Sequence, residues 1–213
     1  TSASPYLLKS VQVDTNNPVA FKAAKTISSV VNATNPVYDV AIYSDNASSG
    51  NGIVCYNNSG STRVDVGFLT TDGAGGTSAS GYPNVVTITS TNATDCIAIC
   101  GDKVNTAAAE AERIYIGYAS TGSSAGLKIK RIKSTLLVEA THTVEGTATK
   151  IDGASMLVTQ AGDLQIIYTL NATNSYDHQA KGALYNITSD SMGSAAVIKR
   201  SVGLVSKLFE YES

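Results

Sequence analysis

The chain has 213 residues, a formal net charge of −2 and only 15% charged residues, which does not favour contact with nucleic acid. Its hydrophobic share of 43% excludes wholesale disorder and can build one substantial core. No apolar run approaches the roughly 18 residues of a membrane helix. We therefore predict one soluble, β-rich domain over residues 1–213, with no membrane partner.

The N-terminal part predicts an extended segment followed by a helix. Alternation over the first residues is typical of an arm or an edge strand, and we place this possible arm at residues 1–13. Asn17 then provides a helix N-cap and Pro18 a first helical position, with apolar residues behind them at helical spacing. A helix over residues 18–31 that packs on a sheet is the expected result.

From residue 37 the hydrophobic period changes to two, and Asn, Gly and Ser clusters separate the alternating segments. A second short helix is expected over residues 105–112. Several short strands at regular spacing indicate an antiparallel β-sandwich or barrel, with one or two short helices packed on it and long polar loops. The predicted strands of this half are residues 37–44, 53–56, 63–69, 85–89, 96–100 and 114–118.

A long polar loop interrupts the predicted hairpin of residues 62–90. Residues 70–84 contain almost nothing apolar, and a loop longer than about 12 residues in a compact domain is usually functional or disordered. We therefore include three residues of this loop among the candidate contacts with other molecules: Asp72, Gly75 and Tyr82.

The C-terminal half continues the strand pattern with less definite boundaries. The alternation that starts at Leu127 slips at Arg131 and Ile132, which predicts a bulged strand followed by a strand over residues 135–140. Apolar residues at helical spacing then favour a helix or arm over residues 191–213, and a strand pair is the alternative. The other predicted strands are residues 155–160, 164–170 and 183–187.

The three cysteines do not predict a metal site. On a strand, Cys96 and Cys100 lie on one face about 13 Å apart at 3.3 Å per residue, too far to bridge each other. Cys55 could pair with either of them across strands, but we favour small buried side chains for all three. The CxxxC spacing of Cys96 and Cys100 differs from the cysteine spacing of zinc sites. We therefore predict no metal and no cofactor.

Four cations lie close together in one segment of the chain. Such a strand can contact phosphate or an acidic partner surface, but we favour a solvated face or an edge guarded by lysines. These residues are Lys128, Lys130, Arg131 and Lys133.

Catalysis has little support. The only histidines, His142 and His178, lie in no recognisable nucleophile or zinc motif. The carboxylates are scattered, so a glycosidase-like pair could form only through folding. The chain has no Trp, which argues against a site that stacks sugar rings on aromatic side chains. Its 11 tyrosines keep that hypothesis as an alternative. We predict that the protein is not an enzyme.

A low-charge β scaffold with an arm and long loops has the parts that self-assembling subunits use. The first hypothesis is a structural subunit of a virion, a phage tail tube, capsid or head-decoration protein assembled in the host cytoplasm. Its partners are copies of itself and other subunits of the assembly. Besides the loop and the basic segment, the candidate assembly contacts are Tyr6, Leu7 and Leu8.

The alternative hypothesis is a secreted or surface-displayed adhesion or glycan-binding domain. It places the protein outside the cell or on its surface, where the six Asn-x-Ser/Thr sequons could carry glycans. Those sequons begin at Asn32, Asn46, Asn57, Asn92, Asn171 and Asn186.

Overall fold

A computed structural model of the chain describes residues 6–11, 21, 23–31, 38–44, 50–58, 63–68, 86–89, 94–102, 113–120, 126–133, 138–146, 150–171 and 178–200. These residues form antiparallel strands and turns, so the prediction of a mainly β, antiparallel fold is confirmed. No helix in this part of the chain is long and apolar enough to cross a membrane. The strands are β1 (Tyr6–Ser10), β2 (Lys25–Val31), β3 (Tyr38–Ser44), β4 (Gly50–Asn58), β5 (Arg63–Phe68), β6 (Val86–Thr89), β7 (Thr94–Gly101), β8 (Arg113–Ser120), β9 (Gly126–Lys133), β10 (Val138–Glu145), β11 (Lys150–Val158), β12 (Leu164–Asn171), β13 (His178–Asn186), β14 (Ser191–Met192) and β15 (Ala196–Arg200).

The first sheet contains β1 to β6. Its main path runs β1-β2-β4-β5-β6, and β3 pairs with β4. Strand β1 forms the edge and pairs with β2 of the same chain, with Tyr6 opposite Val31. The predicted hairpin is present because β5 pairs with β6, with Val66 opposite Val86. The loop predicted at residues 70–84 lies outside the described residues.

Two further antiparallel sheets follow in chain order. The second has the order β10-β9-β8-β7, and in the third β11, β12 and β13 are consecutive neighbours while β14 and β15 both pair with β13. Strand β7 lies beside β3 on one side and beside β11 on the other. Successive antiparallel sheets built from consecutive strands, with the first strands β3, β7 and β11 adjacent, are typical of the blades of a β-propeller. We name them blade 1 (β3 to β6), blade 2 (β7 to β10) and blade 3 (β11 to β15).

This arrangement differs from the expected sandwich or barrel. Among the described strands, each sheet packs face to face on the next one in the chain, so these three sheets form a series and do not close on one another as a pair or as a single barrel. Alternating short strands predict all of these architectures equally well, because the period of two fixes which residues share a face and not which sheet that face meets.

The helix predicted over residues 18–31 is wrong in its second half, where Lys25–Val31 forms β2. Thr26, Ile27, Val30 and Val31 are β-branched and fit a pleated strand, and pairing with β1 provides hydrogen bonds that outweigh the local capping pattern. The helix expected within residues 191–213 is also wrong where the chain is described, because Ala196–Arg200 is β15 and pairs with β13. The second predicted helix, residues 105–112, and residues 201–213 lie outside the described part.

Blade 2 is buried on both faces, which explains the continuous apolar runs of its inner strands. In β7 every residue from 96 to 100 is buried, and in β8 every residue from 114 to 119. Strands covered on both faces have runs of this kind and lack simple alternation. The backbone N–H of Ile99 donates to Asp39 Oδ2 of blade 1 at 3.0 Å, while Ala98 belongs to the core shared with blade 3.

The same burial explains the break in pattern at Arg131. Arg131 and Ile132 point to opposite faces of β9, and both are buried. Strand β9 pairs with β8 without interruption, so the bulge predicted there is wrong; the irregularity lies in β10, between Val138 and Ala140. The alternation of the sequence breaks there because a buried arginine precedes a buried isoleucine, and the register of the strand does not change.

All three cysteines are buried as thiols. Cys96 and Cys100 share one face of β7 within the core between blades 2 and 3, as the strand geometry predicts. Cys55 lies in β4 with none of its surface exposed. They serve as small packing residues in the interior.

Candidate functional site

A polar site lies between blades 2 and 3, at one end of their strands. The antiparallel register pairs Arg113 with Lys133 and Tyr115 with Arg131, and directly paired residues share a face, so these four side chains project from blade 2 toward blade 3. Strand β10 adds two residues to this face, and β13 with its following turn adds two more. We call the group the interblade site: Arg113, Tyr115, Arg131, Lys133, Glu139, His142, Tyr185 and Asp190.

A chain of hydrogen bonds joins the two blades within the interblade site. Arg131 Nη1 donates to the Tyr185 hydroxyl at 2.7 Å, and that hydroxyl donates to Asp190 Oδ1 at 2.6 Å. His142 Nε2 lies 2.8 Å from the same carboxylate oxygen, and Arg131 Nη1 lies 3.2 Å from it. Short bonds with an ionised partner are about twice as strong as neutral ones, so Asp190 is held firmly in one position.

Asp190 is the most exposed carboxylate of the site, with 44% of its side chain accessible. The Tyr185 hydroxyl bond lowers the pKa of Asp190, aided by His142 and Arg131 and opposed by burial. Its backbone has φ of 53°, in the left-handed region that non-glycine residues rarely occupy. Such strain costs on the order of 1–3 kcal/mol and concentrates at functional sites.

Glu139 anchors the opposite end of the site. Its Oε2 lies 3.1 Å from Arg113 Nε and 3.2 Å from Arg131 Nε, and its Oε1 lies 3.3 Å from Lys133 Nζ. The carboxylate and both arginines have 10–14% of their side chains exposed, whereas Lys133 has 45%. With Asp190 included, three cations face two carboxylates, so the site carries excess positive charge before His142 is counted.

Aromatic rings form the apolar part of the site. The His142 ring lies 4.9 Å from the Tyr185 ring at 45°, and Tyr115 meets Tyr185 edge to face at 6.1 Å. Burial, and then the negative charge of Asp102, raises the pKa of Tyr115. Burial, and then the hydrogen bond to Asp190, raises the pKa of Tyr185, so both phenols stay protonated. The Tyr115 hydroxyl is buried and has no hydrogen-bond partner within the described part of the chain.

A second polar cluster lies deeper between the same two blades. Glu145 Oε2 of blade 2 accepts from Lys181 Nζ at 2.6 Å and from the Tyr168 hydroxyl at 2.9 Å, both from blade 3. Only 9% of the Glu145 side chain and 21% of the Lys181 side chain are exposed. The surrounding side chains are apolar, so this cluster fixes the position of blade 3 on blade 2.

The geometry of the interblade site suits binding better than bond cleavage. The hydroxyl of Ser189 bonds to Asn186 at 2.8 Å and to Ser191 at 2.7 Å, so both serines beside Asp190 are engaged with each other and with the turn. A general acid needs a raised pKa, and that of Asp190 is lowered. Among the residues described, no group of three or more His, Cys, Asp or Glu side chains could hold a metal ion.

The basic segment proposed from the sequence is divided between two faces of β9. Arg131 and Lys133 face blade 3 and belong to the interblade site. Lys128 and Lys130 point the other way, where Lys130 Nζ lies 6.0 Å from the Tyr118 ring centre. Burial, and then the neighbouring charge of Lys128, lowers the pKa of Lys130.

The other residues proposed from the sequence fall into two groups. Tyr6, Leu7 and Leu8 lie in β1, whose backbone pairs with β2. The loop residues lie outside the described part of the chain: Asp72, Gly75 and Tyr82.

Sequence reasoning missed six of the eight residues that build the site: Arg113, Tyr115, Glu139, His142, Tyr185 and Asp190. His142 was set aside because it lies in no nucleophile or zinc motif, and its partner Asp190 is 48 positions away in the chain. The one local indication is the polar turn after β13, in which Asn186 Oδ1 accepts from the Ser189 backbone N–H at 2.7 Å. That turn directs Asp190 back toward blade 2.

The fold of this chain is similar to the folds of solved structures with little sequence identity to it. No protein family model and no curated protein sequence matches the chain. The crystal structure of AofleA from Arthrobotrys oligospora is similar, with a TM-score of 0.53 and 11% identity over 93% of this chain and 55% of that one. The Dos1 propeller matches with a TM-score of 0.48 and 10% identity over 86% of this chain and 41% of that one. The chain thus spans about half the length of the solved chains it matches.

Proposed function

We propose that the protein is a non-enzymatic, extracellular or surface-displayed binding domain that holds a carbohydrate at the interblade site. The observation that carries this proposal is Asp190, a 44% exposed carboxylate held by Tyr185, His142 and Arg131 at 2.6, 2.8 and 3.2 Å. Sugars present many hydroxyl groups, and a fixed carboxylate accepts hydrogen bonds from neighbouring hydroxyls without ordering itself at the moment of binding.

The site retains polar capacity for such a ligand. The three short contacts converge on Asp190 Oδ1, whereas Oδ2 has a 3.5 Å contact with Arg131 Nη2. A carboxylate offers about four lone-pair positions, so Oδ2 can accept from a ligand. Lys133 is 45% exposed and can donate. The His142 ring, with 20% of its side chain exposed, supplies an apolar edge beside the polar groups, and the buried Tyr185 ring packs behind it.

The charges of the site support binding over glycoside hydrolysis. A hydrolase of that kind needs one protonated carboxyl group and one ionised carboxylate beside the scissile bond. The lowered pKa of Asp190 keeps it ionised, and three cations within 3.3 Å surround the Glu139 carboxylate. Both groups therefore suit acceptance of hydrogen bonds.

The virion hypothesis stays a prediction, as does its placement of the protein in an assembled particle. Its contact residues in the loop lie outside the described part, and its basic segment is divided between two faces of β9. Of the two hypotheses, the glycan-binding domain is the one that the interblade site favours.

A glycan array followed by titration calorimetry tests the proposal. We expect the wild-type protein to bind one class of glycan and Asp190→Asn to weaken that binding at least about tenfold, because a hydrogen bond to a charged group contributes roughly 1.5–3 kcal/mol. Asp163→Asn, a matched change in the turn between β11 and β12, should leave binding intact. Absence of binding across the array, or equal binding by both variants, would refute the proposal.

A further inference from the structure

The two most exposed side chains of the interblade site carry opposite charges. Lys133 has 45% of its side chain accessible and Asp190 has 44%, whereas the buried charges of the site have 10–14%. A ligand that approaches the site therefore meets one ammonium group and one carboxylate. The proposed function rests on the carboxylate, and the ammonium group decides what else the ligand carries.

Neighbouring groups neutralise Lys133 only in part. Its Nζ atom lies 3.3 Å from Glu139 Oε1, and the same carboxylate lies 3.1 Å from Arg113 Nε and 3.2 Å from Arg131 Nε. One negative charge thus faces three positive charges. An ammonium group has three N–H donors. In the described part of the chain Glu139 Oε1 is the acceptor that Lys133 faces, so two donors remain for a ligand.

The other titratable groups near the site leave this exposed pair of charges unchanged. Asp102 is completely buried, and its negative charge acts inside the protein, where it raises the pKa of the Tyr115 phenol. His142 Nε2 faces Asp190 Oδ1 at 2.8 Å and adds a positive charge when protonated. Neither group places a further negative charge where a ligand makes contact.

The exposed lysine favours one charge type of ligand. A neutral sugar that covers Lys133 displaces water from the ammonium group and provides no countercharge, and such desolvation is costly. An anionic substituent offsets that cost through a charge-assisted hydrogen bond. Complementary charge at a binding surface also selects against ligands of the wrong charge.

We infer that the carbohydrate held at the interblade site is acidic: its carboxylate or sulfate group pairs with Lys133 while its hydroxyl groups donate to Asp190 Oδ2. This inference rests on the proposed function. The ammonium group is a compact point charge that suits either anion. Arg131 lies 3.2 Å from both Glu139 Oε2 and Asp190 Oδ1, so one continuous set of ion pairs holds the two ends of the site.

Matched pairs of glycans test the inference by titration calorimetry. The first pair ends in glucuronic acid or in glucose, and the second ends in sulfated or unsulfated galactose. We expect the acidic member of at least one pair to bind at least about fivefold more tightly, because a hydrogen bond between charged groups at a half-exposed site contributes about 1 kcal/mol. Added salt should reduce this preference, since it screens exposed charges. The pair that shows the preference identifies the anion as carboxylate or sulfate.

Lys133→Met removes the charge and keeps most of the side-chain length, and it should reduce the affinity for the acidic member to that for the neutral member. Lys128→Met makes the same change on the opposite face of β9 and should leave the preference intact. Circular dichroism confirms that each variant is folded, and Lys133→Gln replaces Lys133→Met if that variant unfolds.

The outcomes separate this inference from the proposed function. Equal binding of acidic and neutral glycans that Asp190→Asn still weakens would overturn the inference and leave the proposed function standing. A preference for the acidic member that Lys133→Met does not change would also overturn it. Binding of acetate or inorganic sulfate as tight as that of the acidic glycan would show an anion site without a sugar, and absence of binding to every glycan would overturn both proposals.

Discussion

Replacement of Lys181 by Met should destabilise the protein substantially. Lys181 Nζ lies 2.6 Å from Glu145 Oε2, and the carboxylate is 9% exposed. Breaking a buried ion pair by removing one partner costs roughly 3–5 kcal/mol, because the remaining charge stays buried with less compensation. Lys181 is 21% exposed, so water relieves part of this cost and we expect a loss of about 2–3 kcal/mol.

For a chain of this length, that loss lowers the melting temperature by roughly 4–12 °C. Thermal unfolding by circular dichroism and urea unfolding measure it, with Lys9→Met at an exposed position of β1 as the matched control. The double variant Glu145→Gln/Lys181→Met should lose less than the sum of the single variants, because it leaves no buried charge. A Lys181→Met protein within about 0.5 kcal/mol of wild type would refute this account of the blade contact.

Three further predictions concern individual residues. Gly126→Ala should cost about 3 kcal/mol or more in urea unfolding, since its Cβ would overlap the Glu145 carbonyl oxygen, whereas Gly146→Ala meets Thr143 Cγ2 at an ordinary 3.7 Å and should be near neutral. Because the folded pKa of Asp190 is lowered, its stabilisation is present above the ordinary value of about 3.9 and is lost as the pH falls through the folded pKa. The stability difference between wild type and Asp190→Asn should therefore shrink below about pH 4, and a difference constant with pH would contradict this. The three buried thiols should react with a thiol reagent only on unfolding; rapid reaction of Cys96 in the native protein would contradict its placement.

The strands were largely predictable because the period of two is a local property of the chain. The alternating segments at residues 63–69, 85–89 and 164–170 overlap β5, β6 and β12. The helix at residues 18–31 was not correctly predicted, because a cap and helical spacing are also local, and pairing with β1 outweighed them. Local preference decides an element only where no distant partner competes.

The sequence by itself determined a mainly β, antiparallel fold with a low-charge surface, since composition and period specify strands without reference to their neighbours. Only the tertiary structure decided which faces meet. Arg131 and Asp190, 59 positions apart, come together because blade 3 packs on blade 2, and the four cations of β9 separate because successive residues face opposite sides. The candidate site is a property of the contact between two sheets, and no local pattern in the chain encodes that contact.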